Sequence, residues 1–328
     1  MKKFLLLPAL ALAFVLGGVL PVSADTLNID FENPPYAPLG TINGIDGWSS
    51  LGAAGSGCAV YDHQLAANTY GYLAFGLQSL RMSNAVTSGC FGDQTFSKSL
   101  IDETGEFLAE DGGLSGGTRQ TRLEAQWDFA STVPGAEQPG LSVVASPDRG
   151  DGARMSWIQM TDTPAGLAVN FYDYQDGAVE AAGTCVTGDN FVLSPVATGL
   201  DRTMPHTIKV VMDLLDGSNN DVVKVYVDGV LSHTGTSWEG YFNYCEGNPT
   251  RTVDSILFRT GGSAAPATTG NGFVIDNLSL ISSTPVGPPT VAGQCKKDGW
   301  KTFNNPVFKN QGQCVSYVQA NEKAGKQQ

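Results

Sequence analysis

Between positions 221 and 234, Val223, Val225 and Val227 alternate with Lys224 and Tyr226, Asp228-Gly229 interrupts, and Val230-Leu231 resumes. A period of two puts successive side chains on opposite faces of a strand, and Asp-Gly supplies the positive φ that a two-residue hairpin turn requires. The pattern therefore predicts a β-hairpin, with the β-branched run at 208–212 as a third antiparallel strand before it. Arg122 to Ala130 reads the same way, with Leu123, Ala125, Trp127 and Phe129 on one face and Glu124, Gln126 and Asp128 on the other. Further short runs stand at 25–31, 72–75, 79–82, 141–145, 154–160, 167–174, 255–259 and 273–280, separated by Gly, Asp and Pro clusters. Short strands with turn signals roughly every 8–12 residues describe an all-β sandwich of two antiparallel sheets. No stretch of any length carries a helical period, so no helix is expected.

Residues 1–24 break this pattern: Lys2 and Lys3 precede an apolar run from Phe4 to Leu20, and Val22-Ser23-Ala24 offers small residues for cleavage. This is the layout of a secretory signal peptide, and it predicts a secreted protein that is extracellular or associated with the cell surface. No later run approaches the ~20 apolar residues of a membrane helix, so membrane insertion is not expected. The sandwich is expected to occupy 25–281, and 282–294, with three prolines and two glycines, reads as a linker. Beyond it, 295–328 carries six Lys against Asp298 and Glu322, the reverse of a chain whose formal net charge is −13. That acidic balance argues against nucleic acid as a partner. The basic tail instead invites a cell-surface component or another partner.

Six Cys in an exported chain read as disulfides, because none has C-x-x-C spacing. Proximity and the strand groups they bracket pair Cys295 with Cys314, Cys58 with Cys90, and Cys185 with Cys245. The first pair encloses Trp300, Phe303 and Phe308, too small a core to stand without a covalent staple.

Three segments carry a family resemblance: Pro205-His206-Thr207-Ile208-Lys209-Val210, then Val225-Tyr226-Val227-Asp228-Gly229-Val230-Leu231, then Gly272-Phe273-Val274-Ile275-Asp276-Asn277-Leu278-Ser279-Leu280. Together they resemble the concanavalin A-like lectin/glucanase superfamily, and within it the laminin G-like branch. The opening Asp30-Phe31-Glu32 with Gly47-Trp48, paired with Ile275-Asp276, is similar to the ends of jelly-roll carbohydrate-binding modules. The resemblance implies a jelly roll of two curved sheets, often with one bound calcium ion and a carbohydrate or protein ligand. Cys295 to Val315 resembles a short C-terminal unit of bacterial secreted proteins whose role is unassigned.

Two sets of side chains follow as candidates. Glu32 and Asp276, on first and last strands that lie together in jelly rolls, are candidate ligands for a structural calcium ion, which takes six to eight oxygens. The alternative is that Asp276 and Asn277 bond nearby backbone. Glu124, Gln126 and Asp128 repeat the strand layout in which laminarinase-type relatives carry Glu, Asp and Glu, with Glu124 and Asp128 as the catalytic pair of a degraded glycoside hydrolase motif. A glutamine carries no charge, however, and an exposed polar sheet face is the reading that the trio favours over catalysis. Asn170, Tyr172 and Tyr174 share one face of their strand, as do Trp157 and Gln159 of theirs, and rings beside amides suit sugar faces and hydroxyls. Ligand binding is expected where these residues and the trio converge, provided the strands lie in one sheet. The aromatic run Trp238 to Tyr244 is the next candidate. His63, His206 and His233 lack Ser or Asp partners at triad spacing. The expectation is a secreted, lectin-like, non-catalytic module for a polysaccharide or glycoconjugate; the alternatives are a laminarinase-like glycosidase and a structural cell-envelope or adhesion protein without a sugar ligand.

Overall fold

The computed structural model describes residues 25–50, 62–87, 93–100, 121–148, 154–174, 191–215, 220–241, 253, 255–260, 263–283, 287–303 and 306–324. Cys58, Cys90, Cys185 and Cys245 lie outside the described residues, and so does the expected signal segment 1–24. Residues 24–286 and 287–328 belong to different compact units.

In the larger unit the strands are β1 (Asp25–Ile29), β2 (Gly40–Thr41), β3 (Asp62–Ala67), β4 (Gln78–Ser83) and β5 (Gln94–Phe96). β6 (Arg122–Ser131), β7 (Ser142–Asp148), β8 (Trp157–Thr163), β9 (Gly166–Tyr174) and β10 (Phe191–Leu200) follow. The chain then forms β11 (His206–Asp213), β12 (Val222–Val227), β13 (Val230–Gly235), β14 (Ser255–Thr260) and β15 (Phe273–Ser283). One antiparallel sheet has nine strands, in the order β13-β12-β11-β6-β15-β4-β3-β2 with β1 also on β15. The other has six, β10-β9-β8-β7-β14-β5. Two packed antiparallel sheets with crossovers of this kind form the jelly-roll sandwich that the resemblance implies.

The period of two decides what lies between the sheets. Trp127 and Phe129 of β6, Ile208 and Val210 of β11, and Val223 and Val225 of β12 are fully buried facing Ile158, Met160, Val169 and Phe171. Trp127 spans the gap: its Nε1 donates to Sδ of Met160 at 3.4 Å, and its ring meets that of Phe258 edge-on at 6.3 Å. The expected hairpin is present, with Asp228 at φ 50° and Gly229 at φ 78° forming the turn. His206 at the foot of β11 is structural, its Nδ1 2.8 Å from Asp228 Oδ2 and its Nε2 2.9 Å from the Asp201 carbonyl.

Four details differ from the sequence reading. The run at 72–75 is not a strand, since Leu73–Phe75 is a turn of 3₁₀ helix that lays Phe75 and Tyr72 over Ala130 and Val274. β3 and β10 carry little alternation, and neither was expected. β15 runs through Ser283, two residues beyond the expected limit of the sandwich, because Ser282 and Ser283 still pair with Leu123 and Arg122. Finally, the C-terminal unit contains a helix, α1 (Gln311–Ala324). Asn310 caps it: its Oδ1 accepts from Gln313 N at 2.9 Å, while Gln313 Oε1 accepts from Lys309 N at 2.7 Å. The Cys295–Cys314 disulfide is present and buried with Phe303, Phe308 and Val318.

Candidate functional site

The expected convergence does not occur. Glu124, Gln126 and Asp128 belong to the nine-stranded sheet, whereas Asn170, Tyr172 and Tyr174 belong to the six-stranded one. Since the odd-numbered residues of both strands fill the common core, the two polar sets point away from each other on opposite outer faces. Alternation fixes which side of a strand a residue takes; it cannot say which sheet receives the strand.

On the nine-stranded sheet the trio is tied down. Lys209 Nζ lies 2.5 Å from Glu124 Oε2, and Arg122 Nε 3.9 Å from Oε1. Asp128 accepts from Thr207 Oγ1 at 2.5 Å and from Asn277 Nδ2 at 2.9 Å. A glycosidase needs one carboxyl held as an acid and a second free to attack or to activate water, in hydrolases of the retaining kind about 5–5.5 Å apart. Four residues of extended strand separate Glu124 from Asp128 by ~13 Å at ~3.3 Å per residue, and each is engaged with its own partners.

Asp276 sits beside this group, at a break in β15. Asp276 pairs with Asp128 and Ser279 with Gln126, so one residue is extra, and Asn277 adopts φ 51° to absorb it. The bulge inverts the side-chain alternation: Asp276 shares the outer face with Val274, while Leu278 and Leu280 turn into the core. Asp276 is buried, accepting from Ser79 Oγ at 2.8 Å and from Asn277 N at 2.7 Å. Burial pushes its carboxyl up to about 8, with the charges of Glu32 and Asp30 adding to the rise and the two hydrogen bonds opposing it. Glu32 Oε1 accepts from Leu77 N at 2.6 Å and from Gln78 N at 3.3 Å. The partners of both expected calcium ligands are thus hydrogen-bond donors. Among the described residues no group of three or more His, Cys, Asp and Glu side chains is placed to hold a metal.

The outer face of the six-stranded sheet is different in kind. β8 and β9 pair Trp157 with Tyr172 and Gln159 with Asn170. The two rings meet edge-on at 5.7 Å, and Trp238 lies 5.2 Å from Trp157 with its Nε1 donating to the Tyr172 carbonyl at 2.9 Å. Phe191 at the start of β10 packs on Trp238 at 4.4 Å and on Tyr241 at 5.3 Å. Arg154, Trp157, Tyr172, Phe191, Trp238 and Tyr241 enclose a pocket of about 290 Å³, with no acidic side chain among the described residues of its lining. One step along the strands, ~6.8 Å at two residues, Asn170 Nδ2 donates to Gln159 Oε1 at 3.2 Å and Gln159 Nε2 to Ser142 Oγ at 2.9 Å. An apolar ring-lined hollow therefore adjoins a row of amides whose remaining donors and acceptors face outward.

Of the expected residues, Asn170 and Tyr172 belong to this site. Tyr174 does not present itself as a free ring: it is buried, with Phe191 at 5.1 Å and Tyr241 at 5.9 Å. Trp238 and Tyr241, from the aromatic run expected as the next candidate, join instead. Phe191 was not anticipated, although the Phe191-Val192-Leu193 run is a signal for a strand; the Pro195 that follows is tolerated because β10 is an edge strand.

No family model matches this chain, and no curated protein matches it. Several solved structures are similar to it. The endo-1,3-beta-glucanase from Streptomyces sioyaensis is 13% identical, with 75% of this chain and 100% of that one covered and a TM-score of 0.33. Beta-agarase A from Zobellia galactanivorans is 11% identical, covering 81% and 97% at a TM-score of 0.32. Sheep galectin-11, in complex with glycerol, is 9% identical, covering 49% and 90% at a TM-score of 0.28.

Proposed function

We propose that this protein is an exported, non-catalytic carbohydrate-binding protein whose ligand, a polysaccharide or glycoconjugate, lies on the outer face of the six-stranded sheet. The reading rests on one juxtaposition: the Trp157–Tyr172 pair and its pocket stand directly beside the Ser142–Gln159–Asn170 hydrogen-bonded row. A pyranose has an apolar face of C–H groups and an equator of hydroxyls, so it needs an aromatic surface and an amide row side by side. Among the described residues the pocket is lined by no acid, and Glu124 and Asp128 lie on the opposite face in ion-paired and hydrogen-bonded positions, which supports a binding rather than a hydrolytic reading. In the same reading the C-terminal unit, with six Lys against two acidic residues in 295–328, holds the protein to an anionic cell-surface component.

A glycan array tests this directly. Trp157→Ala and Tyr172→Ala are expected to weaken every glycan that wild type binds by about fivefold or more each, as loss of a ring contact worth ~1 kcal/mol predicts. Reducing-sugar release by wild type from a bound polysaccharide, or full affinity in both variants, overturns the reading.

A further inference from the structure

Among the described residues the wall of the aromatic pocket holds one charged side chain, and it is a cation. Arg154 is nine-tenths buried there, with its guanidinium carbon 6.0 Å from the centre of the Trp157 ring. A second guanidinium, that of Arg259 on β14, stands 5.3 Å from the same ring. Strand register puts Arg259 in line with Val144, Gln159 and Asn170, so its stem starts from the row that carries the amides and its guanidinium reaches Trp157. An indole face attracts a guanidinium electrostatically, and a cation held over it presents its planar fork of donors in a fixed orientation. The nearby acids do not share the wall. Asp148 stands opposite Arg154 in an isolated β-bridge, and the charge of Asp93 acts on Arg259. Both arginines have further interactions of their own, as cations held away from water need, and with five N–H donors each they serve several partners at once. Asp173, next to Tyr172, is turned to the other side of β9, where it accepts from Thr236 N at 2.8 Å and from Thr236 Oγ1 at 3.0 Å. Glu239, next to Trp238, is buried outside the wall. The pocket thus offers a ligand one apolar side and one cationic side.

We infer that the sugar held in this pocket is acidic: the ligand is a glycan containing a uronic acid, whose ring lies against Tyr172, Trp238 and Tyr241 and whose carboxylate meets Arg154, with Arg259 adding its charge from the same indole. The inference rests on the carbohydrate reading above and adds the charge of the ligand. A uronic acid bears its carboxylate on a ring carbon, within reach of a group at the edge of a hollow that the ring itself fills. A guanidinium meets a carboxylate with two parallel N–H bonds, and such charge-assisted bonds are roughly twice as strong as neutral ones. The hollow, about 290 Å³, is at the small end for organic ligands, which suits one sugar residue rather than a chain. The formal net charge of −13 leaves this contact intact, because screening removes distant charges beyond ~8 Å at physiological salt while the guanidinium acts at hydrogen-bond distance. It does disfavour a densely charged polyanion, every unit of which meets the acidic surface.

Wild type, R154Q, R154K, R259Q and Y172A are compared by isothermal titration calorimetry, each checked for an unchanged near-ultraviolet circular dichroism spectrum; R154K and R259Q carry the test if R154Q does not fold. The probes are oligosaccharides of galacturonate, mannuronate and glucuronate, the methyl esters of the same oligosaccharides, laminarin as a neutral glycan, and dextran sulfate as a polyanion. At least one uronate should bind wild type about tenfold more tightly than its ester, as a single charge-assisted pair predicts. R154Q should bring acid and ester to the same affinity, and R154K and R259Q should lie between. Y172A should weaken acid and ester alike and leave their ratio unchanged. Raising the salt should weaken the uronate only a few-fold, since one charge is involved. Esters that bind wild type as tightly as the acids, or a ratio that survives both R154Q and R259Q, overturn the acidic ligand and leave the aromatic site for neutral glycans standing. Dextran sulfate that outbinds every uronate overturns the carboxylate in favour of a polyanion. If the arginine variants alter the ratio while Y172A changes nothing, the sugar does not sit in the pocket and both readings fall. Wild type that binds none of the probes overturns both as well.

Discussion

Asn277, lifted out of β15 by its left-handed backbone, donates through Nδ2 to Oδ2 of Asp128 on the neighbouring strand at 2.9 Å, and the same amide reaches the Ala74 carbonyl at 3.1 Å. One residue thus closes the bulge, satisfies a carboxylate and anchors the 3₁₀ turn above it. Asn277→Gly keeps the backbone conformation and removes both bonds; about 1–2 kcal/mol of stability should be lost. Asn277→Ala should cost more, because alanine resists φ 51°. In a double-mutant cycle with Asp128→Ala, urea denaturation is expected to give a coupling of about 0.5–1.5 kcal/mol; a coupling of zero would deny the bond any role.

Two buried groups give stability opposite dependences on pH. Asp276 holds its proton in the folded state up to about 8, against 3.8 in the unfolded chain, so its contribution is complete below about 4 and is lost as pH rises through 8. His63, fully buried beside Thr95 at 2.6 Å, is pushed by that burial from 6.5 to about 4, so its contribution is complete above 6.5 and is lost as pH falls. Between these limits the two oppose one another, and above 6.5 only Asp276 acts. Urea midpoints from pH 4 to 9 should fall above pH 6.5 in wild type and flatten there in Asp276→Asn. An unaltered slope in that variant places the titration elsewhere.

Chelation addresses Glu32 and Asp276 from a different side. A calcium ion bound only to the folded state adds RT ln(1 + [L]/Kd) to stability, so its removal lowers the melting temperature. With donors from Ser79, Asn277, Leu77 and Gln78 already on these carboxylates, EDTA is expected to leave the melting curve where it was. A drop that excess calcium restores, and that Asp276→Asn abolishes, establishes the ion instead.

The C-terminal unit should depend on its staple. Among the described residues its buried side chains besides the two cysteines are Phe303, Phe308 and Val318, and the disulfide closes a sequence separation of 19 residues, a constraint worth roughly 3 kcal/mol. In a chain carrying Cys295→Ala and Cys314→Ala, limited proteolysis read by mass spectrometry is expected to remove residues beyond about 295 while the sandwich melts as before. Persistence of protease-resistant α1 would show that the small core suffices.

What was legible in the sequence was whatever depends on neighbours along the chain. Val223, Val225 and Val227 announced β12, Asp228-Gly229 its turn, and Leu123 to Phe129 the buried side of β6, because period and turn chemistry are local. The destination of β6 was not: it pairs with β11 and β15, about 80 and 150 residues away, and only that pairing sends Glu124 and Asn170 to opposite faces. The bulge at Asn277 had a faint signal, since Asn tolerates left-handed backbone better than most residues. Tyr174 was misjudged because the cover it receives comes from Phe191 and Tyr241, beyond the reach of any strand pattern. The helix α1 lacks a strong apolar stripe, yet Asn310, a residue type favoured at helix N-caps, marked its start.

In register, Asp25 lies opposite Ser282, so the sandwich takes in its chain and lets it out at adjoining points of one sheet. Paired residues on antiparallel strands stand about 5 Å apart, a gap that a few glycines span. Such a body can be spliced whole into a surface loop of a host protein without prising that loop open, or recircularised through Asp25 and Ser282 and cut afresh at the Asp228–Gly229 turn, where the backbone is exposed. The position of its ends makes it a portable cassette.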